Sequence, residues 1–133
     1  MHTYSQLQFS ISELSEQAEI VSHSIVGVVE GTMVVLNCTT KTINYIEWTY
    51  LPLGALEPIS LYSGDKILQN FQTSYRISGD KENGEYNLQI DNVLLSYAGT
   101  YSCIDGFRSE IILSQSVLTV RRKFCVMLIH LIN

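Results

Sequence analysis

The chain has 133 residues, 46% of them apolar and 16% charged, which is the composition of a single globular domain and excludes a disordered chain. Eight basic against thirteen acidic residues leave a formal charge of −5 with no basic patch, so no nucleic-acid partner is expected. The three cysteines, Cys38, Cys103 and Cys125, allow one pair with a remainder or three free thiols, and a pair implies an oxidising compartment.

Residues 1–18 (MHTYSQLQFSISELSEQA) hold Glu13 and Glu16 and no sustained apolar run. They do not read as a secretory signal and are expected to form a flexible arm. From residue 19 onward the pattern is one of short strands between turn residues. Glu19 to Val29 is apolar-rich, with a break expected at Gly27 and a turn at Glu30-Gly31. A β-branched run follows at 32–39, then an alternating run at 44–51 and a loop around Pro52, Gly54 and Pro58. Short strands are expected at 59–62, 73–78, 85–91, 100–104 and 110–120, separated by Ser63-Gly64-Asp65, the polar turn 79–84 and Asp105-Gly106. No long helix and no internal repeat is apparent. The run of short strands points to an all-β sandwich or barrel, and periodicity does not separate the two.

Beyond residue 120 come Arg121, Arg122 and Lys123 and then nine apolar-leaning residues, FCVMLIHLI, well short of the roughly 20 that a spanning helix needs. The segment 121–133 reads either as the start of a truncated membrane span or as tail sequence from an alternative reading frame. The basic cluster on the domain side favours the second, because positive charge is disfavoured on the extracellular flank of a span. Membrane attachment is expected only through such a span.

Alternation assigns faces. With Trp48 inward, Ile46 and Tyr50 follow it, and Tyr45, Glu47, Thr49 and Leu51 face out. Tyr86, Leu88 and Ile90 share a face, as do Tyr101 and Cys103, and as do Val34, Leu36 and Cys38. Two cysteines and the single tryptophan thus lie on inward faces of three strands.

These residues also carry a resemblance. The run Leu88-x-Ile90-x-x-Val93-x-x-x-Tyr97-x-Gly99-x-Tyr101-x-Cys103, preceded by Leu36-x-Cys38 and Trp48, resembles the immunoglobulin superfamily from its second strand to its sixth. The resemblance covers about residues 19–120 and implies a Greek-key β-sandwich with a Cys38–Cys103 disulfide, an indole packed on it and a tyrosine corner at Tyr101. The 65 positions between the cysteines, with room for extra strands in 59–69, favour the variable (V-set) type, with the intermediate (I-set) type as the alternative. Closing a loop of that length stabilises the fold by about 4 kcal/mol in the chain-entropy model. The alternative is a pair of buried free thiols, as in intracellular sandwiches of this superfamily.

Two departures stand out. Tyr97 occupies the position where the family has an Asp that pairs with an Arg, here matched by Arg76, so Arg76 is expected to lack its carboxylate and to stack on Tyr97 instead. Ser114-Gln115-Ser116 occupies the place of the Gly-x-Gly bulge of antibody joining segments, which moves the chain away from antigen receptors.

Catalysis finds no support. His2, His23 and His130 are scattered, no nucleophile motif or metal-ligand spacing is present, and no cofactor is expected. Asn37-Cys38-Thr39 satisfies the glycosylation rule, with Asn37 outward but inside a strand beside the expected disulfide. The aromatic and aliphatic outward residues Tyr45, Thr49, Leu51 and Ile104, with Tyr62 and Phe107 nearby, form the candidate partner surface. The resemblance implies an extracellular or cell-surface recognition domain of an adhesion molecule or immune-type receptor that binds another protein, often a copy of itself, through this face. The alternatives are a structural spacer module and a soluble truncated isoform of a membrane receptor.

Overall fold

The computed structural model describes residues 20–43 and 45–123. Among these residues nine strands follow in order: β1 (Ile20–Val29), β2 (Val34–Leu36), β3 (Ile46–Pro52), β4 (Ile59–Ser63), β5 (Lys66–Ile67), β6 (Tyr75–Ser78), β7 (Asn87–Ile90), β8 (Gly99–Asp105) and β9 (Arg108–Arg121). They form a six-stranded sheet in the order β1-β9-β8-β3-β4-β5 and a three-stranded sheet in the order β2-β7-β6. All pairings are antiparallel except β1 with β9, which is parallel along its length.

The strands exist because their apolar residues recur at period two against a shared interior. Ile46, Trp48 and Tyr50 of β3, Leu88 and Ile90 of β7, Val34 and Leu36 of β2, and Tyr101 and Cys103 of β8 are all buried in one cluster. Trp48 is the cross-strand partner of Cys103, and Cys103 is bonded to Cys38, so the two sheets are joined at the centre of the core.

Polar groups inside this core explain where the ladders stop. The Trp48 indole N–H donates to the Tyr86 carbonyl at 2.7 Å. With that acceptor engaged, the Cys38 N–H turns to the Asn87 side-chain oxygen at 2.9 Å. The ladder is interrupted there, and β2 is only three residues long rather than spanning 32–39, with an isolated bridge beyond it at Thr39 and Glu85. The break expected at Gly27 does not occur. Val26, Gly27 and Val28 pair in unbroken register with Leu118, Thr119 and Val120, and these ladder bonds carry the strand through the glycine.

At one end of the sandwich four tyrosines meet. Tyr50 and Tyr101 stack at 4.4 Å, and Tyr75 lies 5.6 Å from Tyr97 and 6.1 Å from Tyr101. The Tyr101 hydroxyl donates to the Tyr97 carbonyl at 2.7 Å, forming the tyrosine corner, so it accepts from Tyr75 at 2.9 Å. The Tyr50 hydroxyl reaches the carbonyls of Ser96 and Ala98, and Ser74 bonds the Tyr97 hydroxyl. Gly99 lets β8 approach β3 here, since a Cβ would lie 2.3 Å from the Leu51 carbonyl oxygen. Among the described residues no buried side-chain polar atom lacks a hydrogen-bond partner.

This arrangement corrects the reading of Arg76. Tyr97 is engaged with Tyr75 and Ser74, and Arg76 does not stack on it. Arg76 finds its carboxylate elsewhere, in Asp91 at 3.1 Å beyond its cross-strand neighbour Gln89. Both groups are well exposed, so Arg76→Ala is expected to lower stability by less than about 1 kcal/mol in urea unfolding, and a loss of several kcal/mol would contradict that placement.

Burial pushes the Tyr75 hydroxyl up from its ordinary value of 10 to about 12, and burial together with the Tyr75 hydroxyl raises Tyr101 further. A raised folded pKa means that the neutral cluster's contribution is complete below pH 10 and is lost as the pH climbs through about 12. Near-UV circular dichroism is therefore expected to hold constant up to pH 10 and to collapse over the next two units. Tyr101→Phe leaves the Tyr97 carbonyl without its donor and is expected to cost about 1–3 kcal/mol at neutral pH.

Candidate functional site

The outward face of β3, β4, β8 and β9 carries the candidate site. Its upper end is built by the β8–β9 hairpin. The Asp105 carboxylate, itself buried, accepts the Phe107 N–H at 2.9 Å, and the Gly106 N–H donates to the Tyr45 carbonyl at 2.8 Å. These bonds tie the tip of the hairpin to the start of β3. A Cβ on Gly106 would lie 1.8 Å from the Tyr45 ring, so only glycine permits this approach. The Phe107 ring then sits 4.7 Å from that of Tyr45 yet remains 81% exposed. A large apolar side chain is thus held out to solvent by a braced turn.

Below the hairpin lies a shallow hollow of about 290 Å³. Leu51, Ile104 and Ile112 give it an apolar floor, Leu56 and Pro58 of the β3–β4 connection rise at its side, and Thr49, Thr100, Ser102, Ser109 and Gln115 complete the wall. Gln115 donates to the Ser102 hydroxyl at 3.2 Å, which pins the amide flat against the sheet. No lining residue carries a charge. Glu47, on this face beside it, is half-buried and accepts from the Ser60 hydroxyl at 2.7 Å.

The immunoglobulin V-set domain family model matches residues 20–121. The chain belongs to the immunoglobulin V-set family. No curated protein matches it. The match and the two disulfide-linked sheets agree with the fold expected from Cys38, Trp48 and Cys103, and the paired β4 and β5 occupy the stretch where extra strands of the V-set type were expected. V-set domains are typically non-enzymatic modules that bind other proteins and are usually extracellular or on the cell surface. Among the described residues no helix is long and apolar enough to cross a membrane. Cys125 and the apolar run after Lys123 lie outside the described residues, as does the arm 1–18.

In this V-set domain the core residues named from the sequence, Trp48, Leu88, Tyr101, Cys38 and Cys103, are buried together. Of the candidate partner residues, Tyr45, Thr49 and Leu51 are half-buried on the outer face and Phe107 projects from it. Ile104 points outward as alternation requires, but it is only 7% exposed, because it forms the floor of the hollow between Glu47 and Ile112. Tyr62 does not join them. The register shifts between Trp48 and Thr49, where Leu61 is the extra residue of β4, so Tyr62 comes opposite Trp48 on the inner face and is 1% exposed. Its ring lies beneath the Lys81 ammonium, 5.5 Å away. Asn37 is exposed, and its carbonyl accepts from the Ser114 hydroxyl across the gap between the sheets. Ser114-Gln115-Ser116 continues the ladder without a break, and the register shifts of this strand pair lie nearer the hairpin, at Ile104.

Leu56 and Pro58 were missed because loop residues carry no periodicity, although Leu56 is 97% exposed. Ile112 was hidden in an apolar run whose phase the register shift changes.

Proposed function

We propose that this V-set domain is an extracellular recognition module, of the kind found in cell-adhesion molecules and immune-type receptors, and that it binds another protein through the β3-β4-β8-β9 face. The recognition unit is residues 19–120, with residues 1–18 and 121–133 as appendages to it. The observation that carries the reading is the uncharged hollow next to the braced Phe107.

Buried interface centres are depleted in charge and enriched in aromatic anchors, and this face combines an uncharged hollow with an exposed phenylalanine. Phe107 costs little to order on binding because Tyr45, Gly106 and Asp105 already fix its turn. Glu47, at the side, supplies a place where a partner cation adds specificity more than affinity. A lone domain with a shallow hollow is expected to bind weakly and to rely on several copies acting together. A second copy of the chain fits this face in the two-fold manner that a self-complementary patch allows.

The test is substitution on the face without damage to the fold. Leu51→Asp and Phe107→Asp are each expected to reduce self-association in sedimentation, or capture of a multimerised domain on cells, by at least about tenfold, while thermal unfolding stays unchanged. Ile104 is a poor choice for this purpose, since a carboxylate on the covered floor would strain the fold. Binding that persists in both variants would show that another surface is used.

A further inference from the structure

Of the asparagines in the chain, only Asn37 is followed two positions later by a hydroxyl residue, with Cys38 and not proline between them. Transfer of a sugar to an asparagine amide needs that hydroxyl. The product is bulky and hydrophilic, so the amide must stand at the surface of the folded chain. Two features of the sequence oppose such a transfer here: Asn37 falls in an expected strand and next to an expected disulfide.

The structure bears on the first. β2 ends at Leu36, so Asn37 follows the strand instead of lying within it. The ladder to β7 is interrupted one residue later, where the Cys38 N–H donates to the Asn87 side chain. Leu36 and Cys38 are buried, and Asn37 and Thr39, which alternate with them, are exposed. The amide and the hydroxyl that the reaction requires therefore stand on one side of the chain, on the outer face of the β2-β7-β6 sheet. Gln89, Asp91 and Arg76 on the same face are joined in a polar network, a hydrated surface that suits a sugar.

The main chain at Asn37 is held by its carbonyl, which accepts from the Ser114 hydroxyl at 2.7 Å. Ser114 is buried on the inner side of β9, and its neighbour Gln115 lines the hollow on the outer side. Asn37 and the hollow thus lie on opposite outer faces of the sandwich, and a glycan on Asn37 leaves the partner face uncovered.

Order of synthesis answers the second objection. Cys103 is made 65 residues after Cys38. Asn87 and Glu85, the partners of Cys38 and Thr39 in the folded domain, also come later in the chain. At roughly 5–20 residues per second the delay before Cys103 is about 3–13 s. Throughout that delay the segment 37–39 has neither its disulfide nor its strand partners, and its amide is open to a transferase.

We propose that Asn37 carries an N-linked oligosaccharide. In the transfer, Asn37 Nδ2 forms a bond to the anomeric carbon of a sugar carried as a lipid pyrophosphate. The bond from that carbon to the phosphate oxygen breaks, the lipid pyrophosphate leaves with the electron pair, and the amide gives up one of its two protons. The step involves no oxidation or reduction. It rests on the extracellular reading given above, because the sugar donor is met along the secretory route.

The full chain, expressed behind a cleavable secretion leader in cultured animal cells, tests this. The secreted protein is weighed before and after treatment with an N-glycosidase. Most molecules are expected to lose mass on treatment, with the amide of residue 37 converted to a carboxylate in the peptide that contains it. Asn37→Gln is expected to abolish the mass difference, and it spares the carbonyl that Ser114 uses. Thr39→Ala is expected to abolish it too, whereas Thr39→Ser keeps the hydroxyl and is expected to keep part of the modification. In each sample a Cys38–Cys103 cross-link shows that the chain has folded in the oxidising compartment. A secreted, cross-linked chain without sugar would overturn the assignment of Asn37. It would leave the extracellular reading of the domain standing, since the supplied leader sets the route. A mass difference that survives Asn37→Gln would overturn the assignment as well.

Discussion

The constraint on which this molecule rests is the link between its two sheets at Cys38 and Cys103, with Trp48 as the neighbour of Cys103 across the β3–β8 ladder. The bond closes a span of 65 residues and so acts chiefly on the unfolded chain, where it removes conformational freedom that a small sandwich would otherwise have to overcome with burial alone. Trp48 adds a second consequence. By taking the Tyr86 carbonyl it deprives Cys38 of its ladder partner, and the chain responds with the Asn87 side chain. The same interaction that fills the core therefore shortens β2.

What the core leaves outside is divided by chemistry. One face holds an uncharged hollow and a phenylalanine fixed by Tyr45, Gly106 and Asp105. The far end of the domain replaces the family's arginine–aspartate pair with a tyrosine cluster, and Arg76 takes Asp91 as a surface partner instead. The cluster is held by hydroxyl-to-carbonyl bonds and ring contacts, which makes that end insensitive to salt and sensitive to alkali. Among the described residues, β1 and β2 carry no Lys, Arg, Asp, Glu or Pro, and a groove of about 260 Å³ lies between them.

Much of the fold was legible because alternation is a local signal that a buried strand cannot avoid. Trp48, Leu88, Tyr101 and both cysteines fall on inward faces by counting in twos, and the structure buries them together. Counting fails wherever one strand gains a residue against its neighbour. Leu61 is such a residue, and it carries Tyr62 from the outer face to the inner. The shift near Ile104 has the same origin and brings Ile112 to the hollow. Interactions between distant residues were not legible at all. Neither the Arg76–Asp91 pair nor the Ser114–Asn37 bond has a signature in residue type or spacing, and Leu56 belongs to a loop whose position only the fold decides.

The central claim is that a covalent bond between Cys38 and Cys103 organises the domain, with Cys125 outside the pair. Peptide mapping of the native protein under non-reducing conditions, with free thiols alkylated first, tests it most directly. The expected result is one cross-linked species that joins the peptides of Cys38 and Cys103, with the alkylating label found on Cys125. Label on both Cys38 and Cys103, or a cross-link from either of them to Cys125, would contradict the account.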